Sequence, residues 1–132
     1  MQVTAPDRGV LRRLAEVRLE RPLVLSLYLD VDPAQFATPP ARATAIRSLL
    51  DEAERRLRER DGLPHQDRAD LHASLERAAA LLEHDLPAEG AQAVAVFASN
   101  ASGLFEVLAL PRPVPSRVAI GRSPLVGPLA RL

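Results

Sequence analysis

Residues 23–32 read Leu-Val-Leu-Ser-Leu-Tyr-Leu-Asp-Val-Asp, and this run constrains the fold more than any other stretch. The odd positions, Leu23, Leu25, Leu27, Leu29 and Val31, are all apolar. The even positions, Val24, Ser26, Tyr28, Asp30 and Asp32, turn progressively polar. Successive side chains of a strand alternate faces, so the pattern predicts a strand with one fully buried face. Its second face is expected to become wet towards the C-terminal end. Pro22 and Pro33 bracket the run, where neither has to donate to a ladder.

The chain of 132 residues is long enough for one domain with a real core and no staples. The absence of cysteine removes disulfides, thiol catalysis and thiolate metal sites together, and a reducing cytoplasm is the expected compartment. No apolar run approaches the roughly 18 residues of a membrane span. The N-terminus lacks the basic and apolar regions of a signal peptide. A formal net charge of +0 argues against nucleic-acid binding on bulk charge alone. All 17 basic residues are Arg. Coding bias in a GC-rich genome accounts for that, because most of these charges sit at helical spacing from acids.

The 12 prolines punctuate the chain and fall outside the periodic segments. A helix is expected over about residues 7 to 20, capped by Thr4 or Asp7, with Val10, Leu11, Leu14, Val17 and Leu19 on its apolar stripe. After the strand, residues 33–40 are expected to be a loop. Residues 41–60 form the strongest predicted helix, with Ile46, Leu49, Leu50, Ala53 and Leu57 on one face. Asp51–Arg55, Glu52–Arg56 and Glu54–Arg58 supply i,i+4 pairs on its wet side. Gly62 suits a left-handed cap after it. A second helix is predicted from Asp67 to about residue 84, burying Leu71, Leu75, Ala78, Leu81 and Leu82.

Residues 91–99 are apolar on both faces, as an inner strand requires. A short turn leads into residues 104–110, giving a β-hairpin. A fourth strand is predicted over 117–120, and residues 122–132 either start another helix or trail off. The fold class is therefore α/β (α+β), in the order α-β-α-α-β-β-β, with a mixed sheet of about four strands. Two helices between the first two strands are expected to allow a parallel, right-handed crossover.

Asp30 and Asp32 share one strand face near its C-terminal end, where open α/β sheets often bind ligands. They form either a Mg²⁺-binding pair or two acids marking the strand's exit into water; no third ligand can be named. His65, His72 and His84 have no metal-ligand spacing. No nucleophile elbow and no glycine-rich phosphate loop is present. Asn100-Ala-Ser102 matches a glycosylation sequon but reads as a turn. The remaining candidates are arginines. Residues 42–60 hold six of them, Arg42 and Arg47 included, against four acids. From residue 100 onward, Arg112, Arg117, Arg122 and Arg131 face only Glu106, a net of +3 that could touch RNA phosphate. Stacking aromatics are nearly absent: Tyr28, Phe36, Phe97 and Phe105 are all there are.

The order of these blocks resembles a known family. An N-terminal Leu-Arg-Arg-Leu-Ala-Glu segment leads into Pro-Leu-Val-Leu-Ser-Leu-Tyr-Leu-Asp-Val-Asp-Pro. Next comes Ala-Arg-Ala-Thr-Ala-Ile-Arg-Ser-Leu-Leu-Asp-Glu-Ala, then Ala-Val-Ala-Val-Phe-Ala-Ser and Gly-Leu-Phe-Glu-Val-Leu-Ala-Leu-Pro. Together they resemble the first domain of the bacterial and archaeal release-factor-like family. That family is related to the class-one translation termination factors and to the peptidyl-tRNA hydrolases that rescue stalled ribosomes. The likeness spans roughly residues 9–120 and rests on the apolar blocks and on Ser26-Leu-Tyr-Leu-Asp30, without a catalytic motif.

The resemblance implies a cytoplasmic, ribosome-associated protein whose partners are the ribosome or tRNA, with no cofactor and no membrane. It places the hydrolytic residues in a following domain, so residues 1–132 are expected to be the N-terminal domain of a longer polypeptide. The Asn-Ile-Lys-Ser decoding motif and the catalytic Gly-Gly-Gln of the family are missing, and Gly90-Ala91-Gln92 opens an apolar strand instead. No catalytic residue carries over. Two other readings stay open: a stand-alone metal-dependent hydrolase using Asp30 and Asp32, and an interaction domain that dimerises through an open sheet edge.

Overall fold

The computed structural model describes residues 3–17, 23–35 and 38–131, the last without its side chain. Leu19, Pro22 and Phe36, and the expected helix beyond residue 17, lie outside the described residues. In chain order the elements are β1 (Val3–Thr4), α1 (Arg8–Glu16), β2 (Val24–Asp30), α2 (Pro39–Glu59), α3 (His65–His84), β3 (Ala93–Ser99), β4 (Leu104–Leu110) and β5 (Arg117–Gly121). A 3-10 turn, Gly127–Arg131, closes the chain. The class is mixed α/β, with a five-stranded sheet in the order β1-β4-β3-β2-β5. The expected four strands are all there; the fifth, β1, is a two-residue strip too short to show a period.

Only β1 runs parallel to its neighbour, β4; every other pair is antiparallel. The expected parallel crossover between β2 and β3 is therefore corrected to an antiparallel pairing. The reason is length. α2 and α3 have 21 and 20 residues, so each carries the chain about 30 Å, one out and one back. The two displacements cancel, and β3 starts at the end of the sheet where β2 stopped.

α2 and α3 cover one sheet face. Leu25, Leu27, Leu29 and Val31 meet Ile46, Leu49, Ala53 and Leu57 from α2, and Leu71, Leu75, Ala78, Leu81 and Leu82 from α3. These are the residues that the two periodicities assign to burial, except Leu50, which is only half-buried against them. α2 starts earlier than expected. Thr38 caps it, accepting from the Ala41 N–H at 3.3 Å, and Pro39 and Pro40 occupy its first turn. Those positions need no intrahelical donor, so proline fits there, and the expected loop gives up its last two residues. Gly62, at φ 76°, turns the chain after α2. α3 likewise begins two residues early, and Asp67 lies buried in its first turn. The guanidinium of Arg68 returns from α3 to the end of α2, donating to the carbonyls of Leu57 and Arg60 at 2.7 Å each. A cation there satisfies orphan carbonyls and opposes the negative end of the helix dipole.

The second face of the sheet is buried over Val24, Ser26 and Tyr28 of β2 and opens towards water only at Asp30 and Asp32, the end expected to be wet. Val24, Tyr28, Ala93, Ala95, Phe97, Leu108 and Leu110 pack against Val10 and Leu14 of α1, Val114 and Leu129. Asp7 caps α1 by accepting from the Val10 N–H at 2.9 Å, as one of the two expected caps. Ser26 and Tyr28 on this face are satisfied by the chain's own C-terminal segment. Ser26 Oγ accepts from the Leu125 N–H at 3.0 Å, and the Tyr28 hydroxyl donates to the Leu125 carbonyl. Tyr28 also meets the Phe97 ring edge-on at 5.9 Å. Ser26 and Tyr28 thus mark a stretch of this face covered by backbone, and Asp30 and Asp32 the end that meets water.

The hairpin forms as expected, with Ser99 opposite Leu104 and Gly103 at φ 77° in its turn. Buried Ser74 ties that turn to α3, accepting from the Asn100 N–H at 2.9 Å and donating to the Asp70 carbonyl at 3.0 Å. From β4 the chain must pass the ends of β3 and β2 to reach β5, about 14 Å at normal strand spacing. Residues 111–116 span that gap. Pro111, Pro113 and Pro115 favour the extended conformation that covers about 3 Å per residue.

Candidate functional site

Asp30 and Asp32 sit where β2 leaves the sheet, and both carboxylates serve the backbone. Asp30 Oδ1 accepts from the Asp32 N–H at 2.9 Å, and Asp32 Oδ1 accepts from the Ala34 N–H at 3.0 Å. The Asp30 N–H donates in turn to Ser116 Oγ at 3.0 Å, fastening the crossing loop to the strand end. Two successive Asx turns lead the chain out at Pro33. Among the described residues, no three His, Asp or Glu side chains cluster in a way that could hold a metal ion.

The candidate arginines do not converge on one point. Arg112 is exposed in the crossing loop, Arg117 opens β5, and Arg122 is exposed just past its end. Glu106, the nearest acid before them in sequence, is held by Arg13 of α1 at 2.7 Å, and residues 107–131 contain no Asp or Glu. Arg47 lies elsewhere, in a small depression with Glu83 and His84 between α2 and α3. Arg42 is half-buried, its Nε shielded from solvent with no hydrogen-bond partner among the described residues.

A concavity of about 530 Å³ runs between α2 and β5. Ala41, Ala45, Ser48 and Leu49 form its helical wall, and Ser116, Arg117 and Val118 its sheet side. Arg56 and Glu52 stand at one end. Glu52 accepts from Arg56 Nε at 2.8 Å and also from Arg55, and these two hydrogen bonds hold its carboxyl below the usual range. Arg55 therefore turns to Glu52 instead of to Asp51, its expected partner. Next to Arg56, Arg60 donates to the Ile120 carbonyl at 3.3 Å.

Sequence reasoning counted Arg56 and Arg60 but did not single them out. A signal was present: counted from buried Leu49, they stand seven and eleven places on, along the edge of the buried stripe that faces β5.

Among the described residues, Tyr28 is the titrating side chain whose ionisation the fold changes strongly. It is fully buried, and burial pushes its hydroxyl well above the usual phenol range, opposed by the positive charge of Arg117 on the neighbouring strand. Tyr28 is a neutral donor to backbone, placed to hold structure.

No protein-family model matches the chain, and no curated protein is significantly similar to it.

Proposed function

We propose that this domain is the N-terminal, ribosome- or RNA-facing module of a release-factor-like protein, working in translation termination or in the rescue of stalled ribosomes. Positioning is its task, and peptidyl-tRNA hydrolysis belongs to another part of such a polypeptide. The ordered apolar blocks and Ser26-Leu-Tyr-Leu-Asp30 suggest the family. The observation that carries the surface assignment is electrostatic. Arg112, Arg117 and Arg122 are exposed along a stretch, residues 107–131, that contains no acid, and the closest preceding acid is already paired with Arg13. A net-neutral protein with three exposed arginines on one acid-free stretch of chain can face phosphate without binding polyanions over its whole surface.

The test is binding to purified ribosomes across a salt series, for the chain and for the triple variant Arg112→Gln, Arg117→Gln, Arg122→Gln. If these arginines neutralise phosphates, the logarithm of affinity falls linearly with the logarithm of salt. The triple variant then flattens that slope by about 2 to 3, close to one unit for each arginine withdrawn from a phosphate. Identical slopes for the two proteins would remove these arginines from the interface, and no ribosome binding at low salt would end the assignment.

A further inference from the structure

β5 is an edge strand, paired among the described residues with β2 alone. Its hydrogen-bonding parity follows from one backbone bond. The Val31 N–H donates to the Gln92 carbonyl at 3.0 Å, which makes the odd residues of β2 the ones bonded to β3 and leaves the even ones for β5. Through the register, Arg117, Ala119 and Gly121 direct their amides to β2, while Val118 and Ile120 direct theirs outward. Arg60 already occupies the Ile120 carbonyl, so the unused part of the edge is at Val118, on the floor of the α2–β5 groove.

Side chains at this edge alternate as well. Val118 belongs to the core beneath α2, whereas Arg117 lies across from Tyr28 and so projects from the other face of the sheet. An added strand would therefore meet two environments at alternate residues. On one side is a groove walled by Ala41, Ala45 and Leu49, whose rim Arg117 also reaches; on the other is the face of Tyr28, to which the register assigns the Arg117 side chain. Small residues on α2 leave room for the incoming side chains.

We propose that an extended peptide with alternating apolar and acidic residues adds as a sixth strand to β5, its apolar side chains entering the groove under α2 and its carboxylates facing Arg117. Strand addition to an exposed edge beside a helix takes affinity from main-chain hydrogen bonds and specificity from alternate side chains. Charge selects this occupant over a second copy of the chain. β5 itself, Arg-Val-Ala-Ile-Gly, carries no acid to set against Arg117, so a second copy of this strand leaves that charge unmatched. Glu52, the single carboxylate lining the groove among the described residues, is held by Arg55 and Arg56 and does not repel an acidic ligand. This goes beyond the RNA-facing reading by adding the backbone edge and the groove, and shares only Arg117 with it.

The probe is a capped synthetic peptide in which valine alternates with aspartate, its binding to the full chain followed by fluorescence anisotropy. Three controls accompany it: a peptide alternating valine with arginine, the aspartate peptide N-methylated at every second residue, and the variant Ser48→Trp. Ser48 is exposed on the groove wall, so an indole there blocks the groove without entering the core. Each control is expected to weaken binding by about tenfold or more. Ser48→Trp is also expected to leave ribosome binding unchanged, which separates failure here from failure of the RNA-facing reading. Undetectable binding of the aspartate peptide, equal binding of the arginine peptide, or tolerance of N-methylation would each overturn the proposal. So would concentration-dependent dimerisation abolished by Ser48→Trp.

Discussion

Tyr28 offers a test of how the second sheet face is held together. Its ring is fully buried against Phe97, and its hydroxyl donates to the Leu125 carbonyl, so the phenolate has no favourable place in the folded protein. The hydroxyl's affinity for its proton is raised by burial, with Arg117 opposing. In the unfolded chain the same group titrates near the ordinary phenol value of about 10. Below that value both states keep the proton and the full stability is present. Above it the unfolded chain releases a proton that the folded chain retains, so stability falls as pH rises. At pH 11 the loss is about 1.4 kcal/mol, one factor of ten in the unfolding equilibrium, and it doubles at about pH 12.

The composition makes the experiment clean. The chain has one tyrosine, no cysteine and no lysine, so no other side chain titrates between about pH 9 and the arginine range. Urea unfolding followed by circular dichroism should show the midpoint falling over that interval, with phenolate absorbance appearing only as the helices unfold. Tyr28→Phe should be less stable at neutral pH by about 1 kcal/mol, the net worth of one hydrogen bond, yet flat from pH 9 to 11. A wild-type midpoint that does not move would refute this account of Tyr28. So would a phenolate that titrates near 10 in a protein that stays folded.

Other expectations rest on the same packing and hydrogen bonds. Leu129→Ala should cost more than Tyr28→Phe, about 2 to 5 kcal/mol against about 1 in chemical denaturation, because apolar burial outweighs the hydroxyl clamp in holding the C-terminal segment; the reverse order would mean that the clamp dominates. Ser74→Ala removes the partner of the Asn100 N–H, and stability should drop by about 1 to 2 kcal/mol, with faster amide exchange at Asn100. Arg68→Met keeps the side chain's length but frees the carbonyls of Leu57 and Arg60; a cost of about 1 kcal/mol is expected, and an unchanged urea midpoint would show that water caps α2 equally well. Asp30→Asn retains an acceptor for the Asp32 N–H and should be nearly neutral, whereas Asp30→Ala should cost about 1 kcal/mol. Millimolar Mg²⁺ should leave the melting temperature unchanged, and a rise that disappears in Asp30→Asn would revive the hydrolase reading.

The helices and strands were largely legible because their burial is one-dimensional. Leu25, Leu27 and Leu29 alternate, Ile46, Leu49, Ala53 and Leu57 recur at helical spacing, and each set went to the face its period predicts. The prolines marked most boundaries for a similarly local reason, and Pro39 and Pro40 misled only because the first turn of a helix tolerates what its interior does not. Asp30 and Asp32 were legible as a pair. Their carboxylates' use by the backbone was not, since an Asx turn and half of a metal site look alike in sequence. The groove was hidden altogether, because Ala41, Ala45, Ser48 and Val118 carry no chemistry until α2 and β5 are set side by side.

By itself, then, the sequence determined which residues must leave water, since burial preference belongs to each side chain and its period. Tertiary structure decided what covers them and in which direction the strands run. The antiparallel β2–β3 pair follows from two helices of nearly equal length, and the closure of the second face from backbone groups of Leu125 meeting Ser26 and Tyr28 across about a hundred residues of chain. Hydrogen bonds between backbone and distant side chains leave no periodic trace, because they depend on where a segment returns rather than on which residues it contains.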